Sequence, residues 1–592
     1  MGAVKRTFRT VDETRALMAV ARGEVPADLL ITGGTVMNVY SGELYPATVA
    51  VAGNRIAYVG DRPLQAGPST TLVDARGRVV APGYVDPHCH PQAMFTPVEL
   101  ARHALPLGTT SIVGDTIFLL MMMHADLAVE AFDTLSGLAV HYYWFLRLHA
   151  QGHSPEERTL ITDGRLAALL EREDVRTVGE VTRWPAVHAG DESLLARIAL
   201  GLAAGRRVEG HAPGASADRL QVLAAAGFSS DHEAITADQA LARLRAGLYV
   251  MLRHGELRAD LPALAPIATG SRAFSGRLML TPDGPTAVFV RQHGYMDYLV
   301  ARAMTEGIDT MAAYQMATIN PATYYALDEE IGGIAPGRRA DLLLLESPAH
   351  PRPEVVIAGG REAARDGRLV IPIPSLPWER WMRPLTTSRW RPDPSLFTLD
   401  GLTSPVPAMH LENGVITARR DVPLDGAGPQ SGTPASDRLP RGVLCLALID
   451  PAGAWRCRTL LSGFADALGG LASSYSSGTG IITIGRRPED MSAAASRVLD
   501  LGGGVVLVEQ GTVIFELPLP LGGWMSPQPL GEIADALETL ARLLRERGHP
   551  HDDIAYTLLF FGFDSLPYVR LTYRGLWDVV ADRAILPRED LR

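Results

Sequence analysis

Ala81-Pro82-Gly83-Tyr84-Val85-Asp86-Pro87-His88-Cys89-His90 is the stretch whose reading decides the fold. An apolar run meets a Pro-Gly turn, and Tyr84-Val85 then opens a short strand that ends in His-Cys-His. Side chains alternate faces along a strand, so His88 and His90 share one face and Cys89 takes the other. Two imidazoles at the carboxyl end of a strand make half a metal site. A bare His-x-His is also an ordinary polar strand end, so the surrounding sequence has to decide.

Downstream, short apolar runs alternate with helical segments from Asp86 to about Gly333. The expected strands are 110–113, 139–142, 178–181, 207–211, 229–232 and 278–281. Helices are expected at 97–105, 193–204, 217–226 and 236–246. Roughly 250 residues of βα repetition is the size of a (β/α)8 TIM-like barrel, whose chemistry sits at the carboxyl ends of the strands. A doubly wound sheet is the competitor, but no G-x-G-x-x-G stands at a first βα turn.

Upstream, a short amphipathic helix (10–21) precedes strands at 29–32, 35–39, 48–51 and 55–60, with a hairpin turn at Gly53-Asn54. Segments 342–345 and 353–360 resemble these strands, so both sets are expected to form one small composite β-sandwich. The expected organisation is 1–85 (helix and first part of the sandwich), 86–335 (barrel), 336–375 (second part of the sandwich), 376–405 (connector) and 406–592 (a C-terminal α/β domain). The connector, with Trp378, Trp381 and Trp390, is expected to lie on the barrel surface. A Gly/Pro/Ser-rich stretch, 421–438, reads as a mobile loop.

Composition narrows the function. The chain has 592 residues, 47% hydrophobic and 20% charged, and a net charge of −11, so no basic footprint invites nucleic acid. Three separated cysteines give no disulfide framework and suit a reducing cytoplasm. No apolar run approaches the ~20 residues of a membrane helix. Lys5 is the only lysine, which excludes a Schiff-base, P-loop or carbamylated bridging lysine in the folded body.

Polar residues stand at the expected strand ends: His88 and His90, Glu180, His211, His232 and Asp283. Each alone reads most simply as a hydrogen-bonding residue. Together they supply imidazoles and carboxylates in barrel order, enough for one or two divalent ions, which lower the pKa of water to ~7. Two adjacent ions need a bridging anion; with lysine absent, Glu180 is the natural candidate. Asp283 would be ligand and general base, and Asp283, Glu180 and His232 are the expected catalytic groups.

These residues carry a resemblance. The chain looks like a divergent member of the adenine deaminase family, within the amidohydrolase superfamily. Pro82-Gly83-Tyr84-Val85-Asp86-x-His88-x-His90 resembles the family's first-strand motif, and Thr96 to Arg102 and Gly108-Thr109-Thr110 are similar to the family's next segments. Gly179-Glu180-Val181 resembles the bridging-glutamate segment; Gly210-His211-Ala212-Pro213-Gly214 and Ser230-Asp231-His232-Glu233 resemble the later histidine motifs. Met316 to Ala322, 335–341 and 517–526 are also similar. The resemblance implies that His88, His90, Glu180, His211 and His232 bind metal, iron or manganese with zinc possible on donor type. It also implies a homodimer.

The departures fall where substrate recognition belongs. The family's Thr-Asp-Asp is Thr281-Pro282-Asp283, which leaves Asp283 as the sixth ligand only if loop geometry restores its facing. Its Asp-Pro-His-Glu is Asp115-Thr116-Ile117-Phe118, and its Arg-Glu-Gly-Ser is Arg253-His254-Gly255-Glu256. Its His-Asp-Ser-His is Ser476-Ser477-Gly478-Thr479, and its Glu-Ser-Ser is Gln92-Ala93-Met94. Asp115, Arg253, Glu256 and Ser477 are the expected substrate contacts. The expected activity is metal-dependent hydrolysis of a C–N bond in a small nitrogen heterocycle, first of all deamination of adenine or a related aminopurine. The alternative is a different cyclic amidine, lactam or imide; a non-catalytic relative is the third reading. Zinc nucleobase deaminases of the C-x-x-C type are excluded, because no C-x-x-C occurs.

Overall fold

The computed structural model describes residues 10–591 apart from 151, 153, 270–275, 425–438 and 478–479. Eight strands form the central sheet: β1 (Tyr84–Cys89), β2 (Thr109–Asp115), β3 (His141–Leu146), β4 (Val175–Val181), β5 (Arg207–Gly210), β6 (Phe228–Asp231), β7 (Tyr249–Arg253) and β8 (Leu278–Thr281). Each pairs in parallel with its sequence neighbour. A parallel bridge from Cys89 to Asp283 links the ends of β1 and β8 and closes the barrel. The strands are almost wholly buried because the helices between them cover the outside.

Two readings of the barrel need correction. The third strand runs His141–Leu146 rather than 139–142, because the aromatic run Tyr142-Tyr143-Trp144-Phe145 has no polar alternation to mark its end. The seventh strand, Tyr249–Arg253, is absent from the expected set; it is a short, fully buried apolar run with no period to read.

Residues 29–82 and 342–369 meet in one hydrogen-bonded nine-stranded sheet. Val79–Pro82 pairs antiparallel with Leu342–Leu345, so the chain leaves this sheet into the barrel and returns beside its point of departure. Leu29–Asn38, expected as two strands, is one strand with its register broken between Ile31 and Gly34. Residues from both halves share one core, among them Ile31, Val49, Val80, Leu342 and Ile357. The N-terminal helix Val11–Arg22 starts at a capping box between Thr10 and Glu13 and stops at left-handed Gly23.

The connector is held against the barrel. Trp378 and Trp381 are buried, the Trp381 indole donates to Glu130, and Arg380 forms an ion pair with the same carboxylate. Beyond it, a second nine-stranded sheet carries strands such as Val443–Ile449 and Gly504–Glu509, with the helices Pro488–Asp500 and Leu530–Arg545. Most of the expected mobile loop, 425–438, lies outside the described residues, but Asp421 and Val422 close the strand Thr417–Val422. No helix among the described residues is long and apolar enough to cross a membrane.

Candidate metal centre

The carboxyl ends of the barrel strands bring four imidazoles and two carboxylates together. His88 lies on β1 and His90 just past it, with Cys89 turned to the opposite layer beside the Tyr295 hydroxyl. Glu180 is near the end of β4, and His211 and His232 are the first residues after β5 and β6. Gly179, before Glu180, has φ +126° and passes so close to the Glu209 carbonyl that a Cβ would collide with it. Only glycine fits that crossing.

Asp283 settles the facing question geometrically. It stands two residues past β8 in the left-handed region (φ +68°), which aspartate tolerates better than most residues. Its N–H donates to Thr281 Oγ1, and its carbonyl accepts from the His90 N–H. The turn brings Asp283 Oδ1 to 3.2 Å from His88 Nε2 and 3.1 Å from His90 Nε2. Arg253 Nη1 lies 2.9 Å from the other carboxylate oxygen.

Glu180 spans the centre. Its Oε1 is 3.2 Å from His232 Nε2 and in close contact with His211 Nδ1. Its Oε2 is 3.9 Å from His90 Nε2 and 2.6 Å from Arg147. Three sets have donor atoms within 4.8 Å of one another: His88, His232 and Asp283; His88, His90 and Glu180; Glu180, His211 and His232. Glu180 belongs to two of them.

A second layer fixes these groups. His88 Nδ1 meets Glu209 Oε1 at 2.5 Å, and His90 Nδ1 meets Asp115 Oδ2 at 2.9 Å, so each ring offers Nε2 to the centre. Arg147 ties Asp115 to Glu180, while Arg253 and Arg258 hold Glu233. Burial raises the Glu180 carboxyl, but Arg147 and then His211 and His232 outweigh it and hold it well below its ordinary range. Burial likewise opposes the Asp283 charge, and Arg253 with His88 and His90 overcomes it. Without metal, burial lowers His90, but Asp115 and Asp283 prevail and push it up to about 9.

The donor set fits divalent ions. Five carboxylates (Asp115, Glu180, Glu209, Glu233, Asp283) face three guanidiniums (Arg147, Arg253, Arg258) across these contacts. Negative charge is in excess among four imidazoles. His88 Nε2, the ring atom that faces Asp283 Oδ1, is buried without a hydrogen-bond partner among the described residues, which a coordinated cation would resolve.

A cavity of about 660 Å³ opens onto this centre, lined on the barrel side by His90, Glu180, Arg253 and Asp283. The C-terminal domain forms its roof through Tyr475, Tyr556, Phe560 and Phe563, and the Tyr556 hydroxyl donates to the Gly284 carbonyl. Of the expected substrate contacts, Arg253 and Glu256 line this cavity. Asp115 does not: it is fully buried behind His90, which it positions. Ser477 does not either. Its N–H is tied to the Leu559 carbonyl and it lines a separate cavity of about 690 Å³; Gly478 and Thr479, the rest of that altered motif, lie outside the described residues.

Sequence reasoning missed Arg147, Glu209, Glu233 and Arg258. Glu209 was within reach, since it precedes His211 by two residues and shares its face of the strand. Glu233 stands inside the Ser230-Asp231-His232-Glu233 run. Arg147 comes directly after β3, and the misplaced strand end hid it.

Residues 79–364 match the amidohydrolase family, and residues 415–583 match the adenine deaminase C-terminal domain. A Halalkalibacterium halodurans chain whose adenine deaminase name is itself provisional is 35% identical over 582 residues, 98% of both chains. Adenine deaminases of Moorella thermoacetica and Rubrobacter xylanophilus are 31% and 34% identical, each over 96% of both chains. Among solved structures, a β-aspartyl dipeptidase of Fervidobacterium islandicum is similar over 58% of this chain and 98% of its own, with 15% identity and a TM-score of 0.45. The chain belongs to the adenine deaminase family of the amidohydrolases, metal-dependent hydrolases of non-peptide C–N bonds.

Proposed function

We propose that this chain hydrolytically deaminates adenine, or a closely related aminopurine, to the corresponding oxopurine and ammonia. The observation that carries the proposal is Asp283 Oδ1 at 3.1–3.2 Å from both β1 histidines, despite proline in the preceding position. In this reading His88, His90, Glu180, His211, His232 and Asp283 would hold divalent metal, two ions of manganese or iron with zinc also compatible, with Glu180 common to both sets of ligands. When bound, the ions acidify water and polarise the C–N centre.

The chain's own groups do the rest. Asp283 accepts the proton of the attacking water and returns it to the departing amino group. Arg253 keeps that carboxylate ionised and oriented, and the Thr281 hydroxyl fixes its backbone. His232 holds Glu180 from one side while Arg147 holds it from the other. Burial under the C-terminal roof strengthens each of these charges by excluding water.

One observation favours a second reading. The cavity wall contributed by Leu559, Phe560, Phe563 and Pro567 is apolar, and the space is far larger than a purine. A different cyclic amidine, lactam or imide is therefore the alternative substrate. Ammonia release from adenine, measured beside a panel of aminopurines, pterins, lactams and cyclic imides, separates the two; activity confined to non-purines removes the adenine proposal. A cytoplasmic location fits three buried free thiols. The proposed homodimer and the lack of a nucleic-acid partner rest on the family resemblance and on acidic charge.

A further inference from the structure

Gln92 stands two residues beyond His90, where the adenine deaminase pattern has glutamate. The residue is 1% exposed and is among those that line the cavity containing Glu180 and Asp283. Neither amide atom, Nε2 or Oε1, has a hydrogen-bond partner among the described residues. Leaving both halves of a buried carboxamide unmatched is costly, at roughly 1–3 kcal/mol per group.

The backbone around Gln92 is held on both sides. Its carbonyl accepts from the Trp524 indole at 2.9 Å, and the Met94 carbonyl accepts from the Ser526 N–H at 2.8 Å. Pro91 precedes it and restricts the chain there. The amide is thus presented from a fixed frame, which reduces the ordering cost of a contact.

We infer that Gln92 is a specificity-determining residue that reads the substrate ring through one edge that sets a ring-nitrogen acceptor beside an N–H donor. A carboxamide offers one acceptor and one donor side by side, whereas an ionised glutamate offers acceptors only. Its complement is a ring edge with an acceptor beside a donor, as amide side chains use on adenine N6 and N7. Adenine has three such edges, N1 with N6–H, N7 with N6–H, and N3 with N9–H. Glutamate here would need two donors from the ligand, so the exchange selects a different face of the heterocycle or a different protonation pattern. The inference rests on the heterocycle hydrolase reading.

The test uses manganese-loaded full-length protein, wild type and Gln92→Met, which keeps the volume and removes both hydrogen-bonding groups. The expected result is unchanged metal content and a 10- to 100-fold fall in kcat/KM for adenine. The penalty for one of 1-, 3- or 7-deazaadenine relative to adenine should also vanish in the variant. Gln92→Glu should fall at least as far. A Gln92→Met enzyme within threefold of wild type at full metal content, or one that keeps all three deaza penalties, overturns the inference. Hypoxanthine binding by calorimetry separates the two claims. Wild type that binds hypoxanthine without deaminating adenine ends the deamination reading and leaves Gln92 to the ratio of Kd values. Wild type that neither binds nor turns over overturns both.

Discussion

Asp283→Asn probes the residue on which the reaction depends. Asparagine keeps the shape and one acceptor oxygen but cannot take a proton. In the structure Oδ1 approaches both β1 histidines at 3.1–3.2 Å, and Oδ2 accepts from Arg253 at 2.9 Å. A positioned general base contributes typically 10²–10⁴-fold, so kcat should fall by about that factor. The fold should survive, because Arg253 keeps Glu233 at 2.7 Å. Weakening one charge-assisted hydrogen bond costs roughly 1.5–3 kcal/mol, a minor part of the stability of a large core. The assay is steady-state ammonia release on protein whose metal content is measured in the same preparation. Adding Pro282→Asp to the variant should not restore activity, because the turn after β8 presents residue 283 to the histidines. A variant with kcat within threefold of wild type would refute the assignment, and recovery by Pro282→Asp would move it one residue upstream.

The same geometry carries two further expected outcomes. Glu209→Gln removes the carboxylate that orients His88 at 2.5 Å; metal affinity measured by competition with a chelator should fall about 10- to 100-fold. In the metal-free protein His90 titrates near 9, raised above its unfolded value of ~6.5. Its protonated form therefore adds stability fully present below ~6.5 and lost as pH rises through about 9, and metal must displace that proton. Apparent metal affinity should accordingly rise from pH 6.5 to about 9, with proton release seen by calorimetry in buffers of different ionisation enthalpy. An affinity that is flat over that range contradicts the charge state assigned to His90.

The barrel is legible in the sequence because its chemistry is written at strand ends. His88, His90, Glu180, His211 and His232 each stand at or just past the carboxyl end of a short apolar run, and that register survives errors of a residue or two. Asp283 stands out in the sequence too, but its facing is not readable there. A left-handed turn after β8 lies outside the two-residue periodicity of a strand. Arg147 is lost with the end of β3, where the unbroken run Tyr142 to Leu146 conceals the boundary. Asp115 and Ser477 read as substrate contacts from altered motifs alone. Their distance from the cavity depends on packing between layers, which has no local signal. The roof over the cavity comes from Tyr475, Tyr556 and Phe560, far downstream of the barrel, and its role emerges only when the C-terminal sheet is seated on the barrel.

The central claim is a metal centre bridged by Glu180, and elemental analysis of protein grown with added manganese tests it most directly. Wild type should carry about two divalent ions per chain, and Glu180→Ala should lose at least one of them. Wild type without metal, or Glu180→Ala with undiminished metal, would contradict it.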